Sequence, residues 1–313
     1  MISNLSIDKC NYNMNFDKDR IDMERWPNFF IVGAPRAGTT SLHAYLKEIP
    51  GLYMSPVKEP NYFSRQLIPD NHPLLNPIRD QQKYLSLFDG VSNEKIIGEA
   101  SPLYLSDIEA PKLIHEVSPN ASILISLRDP IERALSHFTL VISDGGSTNT
   151  FHQELQDEFK FGLDDITKPH LFLLSGLYSE SVKRYQQIFG TKNIKIIIFE
   201  EFIQNPKQTV KDVLDFLNIN HSLSNFQGKA YNPFIAARGS TSEKILTSKD
   251  VSKFAKLFLP FATRKFLRRK ILTKKQTKPT IEDEDRKILQ EYYKEDVEKL
   301  KKILNRELPW SNF

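Results

Sequence analysis

The chain has 313 residues, of which 40% are hydrophobic and 26% charged, and its net charge is +4. These values are those of an ordinary globular protein; they exclude extensive disorder and fall short of the basic excess of a general nucleic-acid binder. The single cysteine, Cys10, excludes an intramolecular disulfide framework and would leave any zinc site to histidines and carboxylates.

Residues 1–25 are polar, lack an apolar core of signal-peptide length and read as a loose leader. No run of about 18 uncharged apolar residues occurs, so no membrane-spanning helix is expected and the cytoplasm is the expected compartment. From Trp26 the pattern alternates. FFIVG (Phe29–Gly33) is an apolar run of strand length, and TTSLHAYLKEI after it carries Leu42, Tyr45, Leu46 and Ile49 at helical spacing. KEPNYFSRQLIPDNHPLLNPIRD is rich in proline and asparagine and reads as loop. IIGEA is short and apolar, and SILISL (Ser122–Leu127) is a clear strand with a helix starting near Pro130. GLYSESVKRYQQIFG is an amphipathic helix with a closing glycine, NIKIIIF (Asn193–Phe199) a third clear strand, and NPKQTVKDVLDFL its following helix. EDEDRKILQEYYKEDVEKLKKIL is a charged terminal helix. Strands alternating with helices predict an α/β fold, a parallel sheet flanked by helices.

Two segments carry chemistry. In GAPRAGTT, Gly33 to Thr40, a strand ends in a glycine-bearing turn that opens a helix. That geometry aims backbone N–H groups and the positive end of a helix dipole at one point, a site for phosphate. The signature of nucleotide hydrolases places lysine before the threonine. Here that lysine is absent, and Arg36 offers the cation from the top of the loop. The plainer reading is that Gly33 and Gly38 only permit a tight turn. In SLRDPIERALSHF, Ser126 to Phe138, Arg128 sits at the C-terminal end of a predicted parallel strand, where α/β folds bind ligands. Ser136 lies about two turns into the next helix, so both side chains are in reach of one anion. The plainer reading is a surface ion network of Arg128, Asp129 and Glu132.

Together and in this order, the two segments resemble the 5′-phosphosulfate loop and the 3′-phosphate motif of sulfotransferases that use 3′-phosphoadenosine 5′-phosphosulfate (PAPS). The soluble bacterial branch, similar to the heparan sulfate sulfotransferase group, is the nearest likeness. VKEPNYFS, GEASPLY, GLYSESVKRYQQIFG, IIIFEEFIQNP and ILNRELPW resemble further family segments, so that the likeness runs from Phe29 to Trp310. It implies the P-loop-type sulfotransferase fold as a single domain over residues 26–313. Within that domain, 221–313 would form a nucleotide-covering loop, a basic segment and a C-terminal helix.

The resemblance also implies roles. Arg36, Ala37, Gly38, Thr39, Thr40 and Ser41 would hold the 5′-phosphosulfate, and Arg128 and Ser136 the 3′-phosphate. Arg238, Gly239, Ser240 and Thr241, in YNPFIAARGSTSEKIL, would close over the nucleotide. Arg36 would stabilise charge on the leaving phosphate with no metal, since a sulfuryl group carries less negative charge than a phosphoryl group. Being a permanently charged guanidinium, Arg36 is poorly suited to donate a proton. Glu59 would be the base that takes the acceptor's proton; the plainer reading pairs it with Lys58. His137 is expected to point to another helix face than Ser136, and His43 and His115 to be structural or exposed. Phe199 would pack near the adenine or in the core.

One departure stands out. Ala100, between Glu99 and Ser101, occupies the place where relatives carry a pocket lysine. An acceptor smaller or less acidic than a sulfated glycan fits that loss. The implied reaction is sulfuryl transfer from PAPS, leaving 3′-phosphoadenosine 5′-phosphate (PAP), to a hydroxyl or amine of a carbohydrate or small metabolite. No nucleic-acid partner is expected. From Lys244 to Lys278 twelve residues are basic and only Asp250 is acidic. That stretch would be a solvated covering helix, or a surface for an acidic acceptor or an anionic membrane with Phe258, Phe261 and Phe266 as anchors. The alternatives to transfer are a phosphate-loop kinase or hydrolase, which should need magnesium, and a nucleotide-binding protein without catalysis.

Overall fold

The structure, a computed structural model, describes residues 26–68, 75–143, 146–161, 172–220, 222–223, 226, 228 and 279–313. The leader, the expected closing residues Arg238, Gly239, Ser240 and Thr241, and the basic stretch 244–278 lie outside the described residues.

Five strands form one parallel sheet: β1 (Phe29–Gly33), β2 (Leu52–Met54), β3 (Ile96–Ala100), β4 (Ser122–Leu127) and β5 (Ile194–Ile198), in the order β2-β3-β1-β4-β5. Every residue of β1 is buried, as its central place requires. Alternation along the strands divides the core into two layers. Phe30, Val32, Ile123, Ile125 and Leu127 point to one face, and Phe29, Ile31, Leu124 and Ile197 to the other.

The larger layer is covered by α3 (Ala110–Val117), α4 (Pro130–Ser143), α6 (Ser179–Phe189) and α9 (Asp283–Leu304). On α9, Leu289, Tyr293, Val297 and Leu300 recur at helical spacing and are fully buried. Burying each contributes about 1.5–3 kcal/mol, which is why this highly charged helix docks at all. The opposite face is covered by α1 (Thr39–Lys47) through Leu42, Tyr45 and Leu46, and by α8 (Pro206–Phe216) through Val210, Val213 and Leu214. Among the described residues the remaining α-helices are α2 (Gln81–Leu85), α5 (Phe151–Phe161) and α7 (Phe199–Gln204).

The third clear strand ends one residue earlier than its apolar run, because Phe199 already opens α7. β1, at the centre, has β3 on one side and β4 on the other, so the loops after β1 and β4 leave from neighbouring strand ends. A crevice at the carboxyl edge of such a sheet is where ligands bind in this architecture.

Candidate active site

The loop after β1 is fixed from β4. Ala34 N–H donates to Ser126 O (2.6 Å), and Ser126 Oγ donates to Ala37 O (2.6 Å). Gly38, the residue before α1, has φ +82°. A Cβ there would lie 2.9 Å from Phe199 and 3.0 Å from Phe202, so glycine is required twice over, by conformation and by space. Arg36 is also left-handed, at φ 70°, a conformation costing about 1–2 kcal/mol in a residue with a Cβ. Its surroundings hold it there. Arg128 Nη1 donates to Arg36 O (3.1 Å), and Arg36 Nε donates to Ser136 Oγ (3.1 Å).

The amino end of α1 differs from the others. Asp80 accepts from Lys83 N–H at α2, Asp107 from Glu109 and Ala110 N–H at α3, Asp129 from Ile131 and Glu132 N–H at α4, and Asp296 from Tyr178 and Ser179 N–H at α6. At α1 no side chain caps the helix and no acidic residue occupies the first turn. Among the described residues no acceptor meets the N–H groups of Gly38, Thr39 and Thr40. Asn205 caps α8, and α5, α7 and α9 carry acidic residues in their first turns; the start of α1 has neither and presents its donors and its partial positive charge beside Arg36.

Arg128 is held from several directions. Its guanidinium carbon lies 4.7 Å from the centre of the Phe199 ring, and Tyr178 Oη donates to its carbonyl (2.9 Å). Burial pulls its pKa down from the ordinary value, while Glu200 and Glu132 push it back up; it remains a cation at neutral pH. Its Nε is buried and meets no hydrogen-bond partner among the described residues. The expected ion network of Arg128, Asp129 and Glu132 does not form. Asp129 caps α4 and accepts from Asn312 Nδ2 (2.7 Å), and Glu132 pairs with Arg286 (3.2 Å). Glu200 joins this loop to the chain end, accepting from Asp129 N–H (3.1 Å) and from Trp310 Nε1 (3.0 Å).

Glu59 follows β2 and docks at the carboxyl end of β3, on the same sheet edge. Its N–H donates to Ala100 O (2.8 Å). Its side chain is 44% exposed and pairs with Lys58 Nζ, the contact that the plainer reading of this residue expects. Glu59 and Asn61 are both left-handed, with φ 61° and 52°. Asparagine tolerates that region; glutamate does so only when its neighbours impose it. Beneath this segment Glu99 is fully buried, and Ala100 beside it also faces the core. Three hydroxyls donate to the Glu99 carboxylate: Tyr84 and Tyr104 to Oε1 (2.9 and 2.8 Å) and Ser101 to Oε2 (2.8 Å). Burial is the larger influence and raises its pKa to about 7, against the lowering effect of those bonds.

His137, His43 and His115 each make contacts within the fold. His137 packs edge-on to Phe172 (5.1 Å). His43 is buried with Nε2 3.0 Å from Ser55 O, and burial lowers its pKa; His115 packs edge-on to Phe189 (5.6 Å). Of the expected residues, the structure brings Arg36, Gly38, Thr39, Thr40, Arg128 and Ser136 around one point. It sets Glu59 on the same edge by way of β3. Tyr178, Glu200, Trp310 and Asn312 were not singled out by sequence, although three of them fall in segments with a family likeness.

A strand–loop–helix with open N–H donors and a second cation at the neighbouring strand end make a candidate anion site on a five-stranded parallel sheet flanked by helices. The chain belongs to the sulfotransferase domain family, whose profile matches residues 27–303. Among solved structures, that of a sulfotransferase from Alicyclobacillus acidocaldarius is 30% identical, with a TM-score of 0.67, covering 91% of this chain and 98% of that one. Human carbohydrate sulfotransferase 15 is 27% identical across 62% of this chain and 44% of its own length. Human heparan sulfate glucosamine 3-O-sulfotransferase 6 is 26% identical across 62% of this chain and 53% of its own length. The chain thus spans about half the length of these curated relatives. Among the described residues no helix is long and apolar enough to cross a membrane.

Proposed function

We propose that this protein transfers a sulfuryl group from PAPS to a hydroxyl or amine of a carbohydrate or small-metabolite acceptor. The observation that carries this reading is the uncapped start of α1, with Arg36 and Arg128 converging on it and on Ser136. The donor set suits a nucleotide with two anionic groups: backbone N–H groups and a guanidinium for one phosphate, a second guanidinium and a hydroxyl for the other. The names of the curated relatives support a carbohydrate acceptor. The missing lysine at Ala100 favours one with little charge of its own.

When bound, PAPS supplies the sulfuryl group. The protein's part is electrostatic and positional. Arg36, locked in a strained backbone conformation by Arg128 and Ser136, holds fixed positive charge where the phosphate loop meets charge building on a leaving group. Thr39 and Thr40 N–H groups and the α1 dipole add to it without reorganising. Glu59 accepts the proton of the attacking hydroxyl, moving off Lys58 to do so. The covering role of Arg238, Gly239, Ser240 and Thr241 belongs to the same proposal and rests on the family likeness alone.

The test is transfer of labelled sulfate from PAPS to a panel of hydroxyl and amine acceptors with excess chelator present. Transfer that survives chelation is the expected result. A strict magnesium requirement, or preference for ATP over PAP in binding, would favour a phosphoryl-transferring enzyme. Tight PAP binding with no transfer across neutral, acidic and amine acceptors would leave a nucleotide-binding protein without catalysis.

A further inference from the structure

Glu99 is a fully buried carboxylate with no cationic partner among the described residues, and the proposed reaction does not use it. A charge in such a place is costly unless its hydrogen bonds do something that an apolar core could not. Its bonds lead in one direction. Ser101 Oγ, which donates to Glu99, accepts the N–H of Asn61 (3.1 Å); Tyr104 Oη, which donates to Glu99, accepts the N–H of Phe63 (3.2 Å). With the N–H of Glu59 on Ala100 O, alternate backbone donors of residues 59, 61 and 63 dock onto the 100–104 stretch. Both hydroxyls are oriented: each must spend its proton on Glu99 to leave a lone pair facing the backbone. Two left-handed residues, Glu59 and Asn61, sit inside this short span.

We propose that Glu99 is a positioning residue, whose carboxylate orients the Ser101 and Tyr104 hydroxyls and so fixes the strained segment that presents Glu59 to the acceptor. This rests on the reading of Glu59 as the base. The apolar neighbour Ala100 lets the strand end stay dry, which keeps the hydroxyls from turning to water. Titratable groups facing Glu99 are Tyr84 from α2, Tyr104 from the turn after β3, and Tyr185 from α6; burial raises the pKa of each above its ordinary value. Near neutrality Glu99 is therefore the group of this cluster that titrates, and the test is run at pH 8, where it is ionised.

At pH 8, Glu99→Gln replaces one of the two acceptor oxygens with an amide donor, and Ser101→Ala removes one link outright. Each should lower kcat about ten- to a hundredfold, the scale of a small misplacement of a catalytic group, with PAP affinity within about twofold of wild type. Ser101→Thr, which keeps the hydroxyl, should restore most of kcat. Should Glu99→Gln fail to fold, as judged by PAP binding and a thermal transition, the Ser101 pair decides the matter. A kcat within about twofold of wild type in Ser101→Ala, or no recovery in Ser101→Thr, overturns the proposal. The dependence on Glu59 is separated by a cycle. In a Glu59→Gln background Ser101→Ala should cost nothing more, and an undiminished further loss overturns the link to Glu59. Near-normal turnover in Glu59→Gln alone instead refutes the base assignment, whatever the Ser101 variants show.

Discussion

The two halves of the site are built on opposite principles. Around Arg36, the proposed donor half, the backbone supplies the features: N–H groups of a helix start, a left-handed loop residue and a glycine that no side chain can replace. Around Glu59, the proposed base, the side chain is exposed, and its segment is joined from below to a buried carboxylate through two hydroxyls. The first arrangement suits a ligand that never changes. The second allows the acceptor side to vary in sequence while the segment beneath stays fixed. A nucleotide donor shared by a whole family and acceptors that differ among its members would call for this division.

The sharpest way to break that comparison is Glu59→Gln. Loss of the general base should lower kcat about 10²–10⁴-fold, while PAP binding measured by calorimetry stays as in wild type. If PAP affinity falls in step with turnover, the two halves are not separate.

The next effect concerns the support beneath Glu59. Burial raises the folded-state pKa of Glu99 from 4.5 to about 7, so the native protein holds that proton more tightly than the unfolded chain. Stability from this group is therefore greatest below about pH 4.5, is lost as pH rises through the window to about 7, and is flat above it. A shift of this size is worth on the order of 3 kcal/mol across the window. Glu158, also raised to about 7 mainly by burial, adds a slope of the same sign. Thermal transitions at pH 5 and pH 8 should then differ less in Glu99→Gln than in wild type. An unchanged difference would show that Glu99 is ionised in both states.

Much of the donor half was legible in the sequence, because both of its loops follow long apolar strands and announce themselves by local spacing. FFIVG and SILISL are the buried centre of the sheet, and Arg36 and Arg128 follow them directly. The edge strand β2 was not read: three residues carry no periodicity, and only pairing with β3 makes them a strand. The clamps on Arg128 were equally hidden. Tyr178 reaches its carbonyl from 50 residues away, and Asn312 reaches Asp129 from 183. Such contacts depend on α9 docking, which no local pattern encodes. In the sequence Glu99 is marked only by the lysine missing beside it; its burial, and so its chemistry, comes from the fold.

On the donor side, Arg128→Ala should weaken PAP binding by about 1–3 kcal/mol, the scale of a charge-assisted hydrogen bond, with little effect on the acceptor KM. The Phe199 face and the Arg36 carbonyl would both lose their partner. Unchanged affinity by calorimetry would remove Arg128 from the site.

The smallest effect is expected at Ser136, and it separates two roles. The family likeness gives this hydroxyl to the 3′-phosphate, yet in the structure its oxygen accepts from Arg36, a residue of the 5′ loop. An oxygen that accepts from Arg36 still has its own proton to donate, so the hydroxyl is able to serve both phosphates at once. Ser136→Ala should then weaken PAP by about 1 kcal/mol. Adenosine 5′-monophosphate, which lacks the 3′-phosphate, should lose only the smaller part that comes through Arg36. Arg36 is half-buried, so water can take the vacated place at its Nε and limit that part. Equal losses for the two nucleotides would make Ser136 a support of Arg36 alone, and the 3′-phosphate would then depend on Arg128 without it.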